Sequence, residues 1–298
     1  MKYGVQLHPL GQFPDIAAIV ATTRLIEELG FDFVSLPEHT LFPVAMEPML
    51  TRIWYEPLTL ISHLAAHTRR LHFYTAATVV TQHNPIHLAK QAATLDVISA
   101  GRVGLCVAGG WLEQEISWLG GDPRTRGRTV EEYIALMRAL WRDDPVTFAG
   151  SRYRFEEASF HPKPGGGTVP LFVGGMAAVS APRAARLGDG WMPTSGFEEL
   201  KAGLVLLDQA LAAEGRDRDG FAVFAELPLF DQAPGVREYL EKINARLPES
   251  FGGDHGLARE RDRELASLGV THATLYPAFP EVQRLHRELE AFARAFIP

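Results

Sequence analysis

Short apolar runs alternate with longer amphipathic stretches along the whole chain. Tyr3–Leu7, Phe31–Leu36, Leu71–Val80 and Val103–Ala108 read as buried strands in the first half. Leu171–Val173, Gly190–Pro193, Phe221–Leu227 and Thr271–Tyr276 read the same way in the second. Between them lie helical patterns. Asp15–Leu29 carries Ile16, Ile19, Val20 and Ile26 at helical spacing, with Asp15 as N-cap and Gly30 as stop. Pro57 opens a helix predicted to run to Thr68. Asn84-Pro85 supplies an N-cap and a proline at the first helical position, ahead of Leu88, Ala92, Leu95 and Ile98 on one face. Thr129 and Glu132 have capping-box spacing before Ile134, Met137, Leu140 and Trp141. Ala177–Leu187, Phe197–Glu214, two pieces between Val236 and Leu268, and Pro280–Phe296 complete the helical set.

One stretch, Asp143–Val169, breaks the alternation. Its "VTFAGSRYRFEEA" predicts a hairpin around Gly150, and "PKPGGG" predicts a mobile linker. It has too little apolar mass for a core of its own, so residues 143–169 read as an insertion after the fourth βα unit. Eight strands, each followed by helix, predict an α/β fold of the (β/α)8 TIM-barrel type, with residues 1–298 as a single domain. An open doubly wound sheet is the alternative. No G-x-G-x-x-G follows the first strand, which weakens its dinucleotide-binding form.

Composition narrows the function classes. A formal net charge of -7 argues against general nucleic-acid binding, which needs a basic surface to displace counterions. The single cysteine, Cys106, rules out an internal disulfide framework and fits a reducing compartment. The N-terminal "MKYGVQLHP" lacks the apolar run of a signal peptide, and no segment has the apolar length of a membrane span, so the protein is expected in the cytoplasm.

In a barrel, the active site forms at the C-terminal ends of the strands. There the chain offers His8, Glu38-His39, Ala76-Ala77, Gly109-Gly110-Trp111, Gly174-Gly175 and Thr194-Ser195-Gly196. Glu38 and His39 are the best acid–base candidates, since imidazole titrates near neutral pH and an adjacent carboxylate can orient it. A histidine that merely holds a loop is the competing reading. Gly109-Gly110 and Gly174-Gly175 each fit either a phosphate cradle or a tight turn. The small residues of "TAATVV" leave room for a flat ligand or for close helix packing. Arg124, Arg126 and Arg128 form either a solvated loop or a contact for an anionic tail. His83 and His87 stand four apart, but the helix starts between them, and no H-E-x-x-H exists; no metal site is expected. Cys106 lies inside a strand and reads as a buried apolar residue.

The segments "HNPIHLAKQAATLDVISAGRV", "GGWLEQEISWLGGDPRTRGRTVEEYIALMRALW" and "PLFVGGMAAVSAPRAARLGDGWMPTSG" resemble the bacterial luciferase-like monooxygenase superfamily of flavin- and deazaflavin-dependent enzymes. Within it the chain looks most like the actinobacterial group assigned to coenzyme F420. The resemblance runs from the first strand to about Gly196 and implies a (β/α)8 barrel with an insertion. It implies that His39 is catalytic, with Glu38 beside the cofactor. It implies a non-prolyl cis peptide at Ala76–Ala77 behind the cofactor ring, with Val79 near it. Gly109, Gly110 and Gln114 match one cofactor loop, and Gly174, Gly175, Ala177 and Ala178 match a second. His8, Trp54 and Trp111 are expected in the substrate pocket.

The chain also departs from the family. Trp111 stands where sugar-phosphate dehydrogenase relatives place a catalytic glutamate, Ala108 where luciferase has a reactive cysteine, and Glu38 where an aspartate is usual. The resemblance implies an F420-dependent oxidoreductase acting on a small molecule, with an FMN-dependent monooxygenase as the first alternative and a non-catalytic flavin-binding barrel as the second. A homodimer is expected.

Overall fold

The computed structural model describes residues 1–8, 13–230, 255–278 and 281–298. Its strands are β1 (Lys2–Gln6), β2 (Phe33–Leu36), β3 (His72–Thr75), β4 (Thr78–Val79), β5 (Val103–Ala108), β6 (Val146–Ala149), β7 (Arg154–Ala158), β8 (Leu171–Gly175), β9 (Gly190–Pro193), β10 (Ala222–Phe230) and β11 (His272–Ala278). All but β6 and β7 join one parallel sheet in the order β3-β2-β1-β11-β10-β9-β8-β5-β4, and a β3–β5 pairing closes it. Since β3 and β4 are two parts of one interrupted strand, the result is an eight-stranded (β/α)8 TIM barrel. β6 and β7 pair antiparallel as a separate hairpin, between the fourth long helix and the fifth barrel strand.

The helices are α1 (Ile16–Glu28), α2 (Glu47–Leu50), α3 (Pro57–Ala65), α4 (Pro85–Ser99), α5 (Glu113–Trp118), α6 (Arg126–Arg142), α7 (Ala177–Leu187), α8 (Phe197–Ala213), α9 (His255–Ser267) and α10 (Val282–Phe296). Asp15 caps α1 by accepting from Ala18 N, and Asn84 caps α4 by accepting from Ile86 N and His87 N. Of the two helical pieces expected between Val236 and Leu268, residues up to 254 lie outside the described set, as does the expected start at Pro280.

Three expectations need correction. Ile98 is 60% exposed rather than inward, because α4 turns its buried face through Leu88, Ala92, Leu95 and Ser99. No capping box forms at Thr129: α6 already starts at Arg126, and Glu132 accepts from the backbone N–H groups of Arg152 and Tyr153 in the hairpin instead. "PKPGGG" is tied down. Lys163 Nζ donates to the carbonyls of Leu140 and Asp143, and Gly165 N–H to Asp96 Oδ2.

Strand alternation sorts the barrel into two faces. Val5, Val34, Phe73, Leu105, Val173, Trp191, Val223 and Leu275 point outward, under the helices, and each is fully buried. The inward face begins with an aromatic layer. Phe33, Tyr74, Phe172 and Phe224 form one cluster, with ring centroids 5.1 Å apart for Phe33–Tyr74 and for Tyr74–Phe172 and 4.9 Å for Phe172–Phe224. His272 stacks on Phe224 at 4.4 Å. Burying such a ring stabilises the fold by about 1.5–3 kcal/mol. Two residues further along each strand, the inward positions open into the cleft described next.

Candidate active site

A cleft of about 850 Å³ lies above the aromatic layer, at the C-terminal ends of the strands. His39, from the loop after β2, lines one wall. Its Nδ1 lies 2.6 Å from Glu115 Oε2, and Glu115 is essentially fully buried. The other oxygen, Oε1, accepts from the backbone N–H groups of Thr40 at 2.6 Å and Leu41 at 3.1 Å. Burial alone would raise the Glu115 carboxyl, but these hydrogen bonds and the His39 charge outweigh it and hold it below the usual carboxylate range. Glu115 therefore stays ionised and accepts. It follows that Nδ1 carries the hydrogen and that Nε2 is the nitrogen left to exchange a proton.

Glu38 does not orient His39, contrary to the simplest reading of the adjacent pair. Neighbouring residues of an extended chain project to opposite sides. Glu38 Oε2 accepts from Val79 N–H at 2.6 Å, and Oε1 meets His83 Nε2 at 2.8 Å. Burial lowers the His83 pKa, but the Glu38 hydrogen bond and charge, with Glu56 behind them, raise it above the ordinary value. Glu38 thus ties the loop after β2 to the interrupted third strand. The Val79 N–H is spoken for, although the Val79 side chain lines the cleft.

Beside His39, the Ala76–Ala77 peptide is cis, and both residues line the cleft. With Gly174 they make a low apolar surface: a Cβ at Gly174 would lie 2.7 Å from Cys106 Sγ and 3.6 Å from Ala77 Cβ. Gly110 has φ +83°, and a Cβ there would lie 2.7 Å from Val79 Cγ1, so only glycine fits that turn. Gly109 and Gly175 complete two glycine loops on the rim. The start of α7 adjoins them and directs N–H groups toward the rim. Arg126 and Arg183 line the same end. A flat surface of small residues, two glycine cradles, a helix N-terminus and two guanidinium groups fit a cofactor with a planar ring and an anionic tail.

Other expected residues fall elsewhere. Gln114 is exposed on α5 and does not line the cleft. Ala177 packs toward α8, 2.9 Å from where a Gly203 Cβ would sit; Met176 and Val179 line the cleft in place of Ala177 and Ala178. Arg124 pairs with Asp122 on the surface, outside the cleft. Trp54 and Trp111 do line it, with ring centroids 4.8 and 5.7 Å from His39. His8 sits behind Trp54, 4.6 Å from its ring; burial, helped by the His39 charge, lowers its pKa to about 4, so it is neutral at pH 7. The buried Cys106 thiol is pushed up by burial and remains protonated. Among the described residues, no group of three His, Cys, Asp or Glu is placed to hold a metal, and no helix is long and apolar enough to cross a membrane.

Sequence reasoning missed three residues. Glu115 is one of two glutamates on a short helix that the sequence pattern did not single out; Ile116, buried beside it, was the available signal. Arg183 carried none. Glu226 stands alone as a charge inside the apolar run "FAVFAELPLF", at the middle of barrel strand β10, and that was a legible sign. It lines the cleft floor, and burial pushes its carboxyl up to about 7.

Comparison with known proteins identifies the family and the fold. A family model described as luciferase-like monooxygenase matches residues 2–274. An F420-dependent glucose-6-phosphate dehydrogenase of Intrasporangium calvum is 30% identical over 252 residues, 80% of this chain and 73% of its own. An FMNH2-dependent dimethylsulfone monooxygenase of Pseudomonas fluorescens is 38% identical over 125 residues, 40% of this chain and 33% of its own. Among solved structures, an F420-dependent secondary alcohol dehydrogenase in complex with an F420–acetone adduct superposes with a TM-score of 0.80 at 19% identity, over 99% of this chain and 98% of that one. With the matched model spanning nearly the whole chain, this protein belongs to the luciferase-like monooxygenase family.

Proposed function

We propose that this oxidoreductase exchanges hydride between coenzyme F420 and a small organic substrate, and that His39 handles the coupled proton. The observation that carries this reading is the His39 imidazole, fixed through Nδ1 by the buried Glu115 carboxylate and facing a cleft rimmed by two glycine loops. In that arrangement Nε2 is free to give or take a proton without reorienting the ring. Ala76, Ala77 and Gly174 would back the cofactor ring, while Gly109, Gly110, Gly175, the start of α7, Arg126 and Arg183 would hold its anionic part. When bound, a deazaflavin would supply the hydride chemistry.

Trp111 packs at right angles to His39 where an acid would stand in sugar-phosphate dehydrogenase relatives, so His39 acts without a second acid on that wall. Two arginines on one rim favour a cofactor with an extended anionic tail over a single phosphate. Fluorescence titration of the purified protein with F420 and with FMN tests the assignment. Tight FMN binding with no F420 binding would replace it with a reduced-FMN monooxygenase, the reading that similarity to the FMNH2-dependent relative supports. His39→Ala separates both from a non-catalytic barrel: it abolishes turnover and spares cofactor binding if the site is catalytic. A homodimer is expected from the family resemblance, and light scattering checks it.

A further inference from the structure

The cleft floor carries groups that the cofactor loops do not use. Gln6, Ser35, Glu226 and Thr274 line it from β1, β2, β10 and β11, four strands adjacent in the barrel. Register pairs Gln6 with Ser35 and Glu226 with Thr274. Each stands two residues above the inward layer that holds Phe33, Phe224 and His272, so alternation aims all four side chains into the cleft. Ser35 Oγ is fully buried and finds no hydrogen-bond partner among the described residues. At Glu226 burial raises the pKa, and among the described residues no neighbouring charge or hydrogen bond contributes. The arginines that line the cleft, Arg126 and Arg183, belong to α6 and α7, and no lysine or arginine among the described lining residues comes from the floor strands.

We propose that this floor is the substrate subsite, that it takes a neutral compound bearing a carbonyl or hydroxyl oxygen, and that Glu226 hydrogen-bonds that oxygen. A neutral carboxyl group both donates and accepts, and so do the Ser35 and Thr274 hydroxyls, so the set serves a carbonyl and its alcohol equally. An anionic substrate would meet no cation on the floor and would give up its hydration in a poorly solvated space without a compensating charge. The subsite therefore rejects sugar phosphates, although named relatives act on one. The inference rests on the oxidoreductase reading only in placing the substrate beside a bound cofactor.

The test uses wild-type protein, Glu226→Gln and Glu226→Leu, each loaded with F420 and, separately, with FMN. Cyclohexanone, cyclohexanol and glucose 6-phosphate are titrated into each by calorimetry. Leucine suits an apolar strand, so folding is not at stake in that variant. Both neutral probes are expected to bind the loaded wild type, to weaken about tenfold or more in Glu226→Leu, and to change little in Glu226→Gln, which keeps a donor and an acceptor. Glucose 6-phosphate is expected not to bind, and cofactor affinity to be equal in all three proteins. Equal probe affinity in wild type and Glu226→Leu overturns the proposal, as does failure of both neutral probes on the wild type, or glucose 6-phosphate competing with cyclohexanone. Failure of both cofactors to bind sinks the oxidoreductase reading instead. The same probe titrations on the cofactor-free protein then decide the floor's role separately.

Discussion

Replacing Glu226 by glutamine should stabilise the protein at high pH and leave it unchanged at low pH. The Glu226 carboxyl titrates near 4.5 when free in water and at about 7 in the folded cleft, because burial disfavours its charged form. Its folded pKa is raised, so the folded state holds the proton more tightly than the unfolded chain does. The stability linked to that proton is fully present below the unfolded value and is lost as pH rises through the folded one. At about 1.4 kcal/mol per pH unit, the interval corresponds to about 3 kcal/mol. Above that range the wild-type floor holds an ionised carboxylate in a poorly solvated place, whereas glutamine of the same shape carries no charge.

Urea unfolding, followed by tryptophan fluorescence, should show Glu226→Gln and wild type nearly equal at about pH 4.5 and separated by about 3 kcal/mol at about pH 8. The difference between the two proteins is the quantity to read. His8 and His272 have folded pKa values lowered to about 4 and about 3, so their contribution is present above the ordinary histidine value and is lost as pH falls. That opposite trend cancels in the difference. A pH-independent difference would refute the claim that burial alone sets this carboxyl.

Three further outcomes are expected. Glu115→Gln leaves cofactor affinity intact but lowers kcat by about 100-fold and shifts the pH–rate profile, because the His39 ring loses its fixed tautomer; an unchanged kcat refutes the positioning role. Glu115→Ala in addition strands the Thr40 and Leu41 N–H groups and should cost about 3 kcal/mol in denaturant unfolding. Gly110→Ala forces a side chain onto Val79 at φ +83° and should weaken cofactor binding about tenfold or more, measured by fluorescence titration.

The barrel was legible because each strand is a compact apolar run bounded by turn residues. Val103–Ala108 and Gly190–Pro193 fall where their composition puts them. The third strand was not legible in detail: "LHFYTAATVV" reads as one run, and nothing in its alternation marks the break between Thr75 and Thr78. The site divided along similar lines. His39, the two glycine loops and Trp111 were found by their place at strand ends, Trp54 was expected from the resemblance, and the structure brings them around one cleft. The partnership of His39 was misread, since adjacency in sequence suggested Glu38 while contact in space belongs to Glu115, 76 positions away. Glu226 shows the opposite error. Its signal is local and visible, a lone carboxylate in an apolar strand, where the apolar run marks the strand and the charge within it marks the site.

The aromatic layer beneath the cleft has a consequence for how such a protein can change. Phe33, Tyr74, Phe172 and Phe224 form a platform that seals the barrel from below, and the strands continue past it for one or two more inward residues. Positions above the platform answer to whatever enters the cleft, while those within it answer to folding. Ser35, Glu226 and Thr274 can therefore be exchanged by mutation without disturbing the plug that keeps the barrel closed, and the glycine loops on the opposite rim are untouched by such exchanges. A lineage built on this scaffold can retune the molecule it recognises through a few short side chains, leaving the ring-binding wall and the fold as they were.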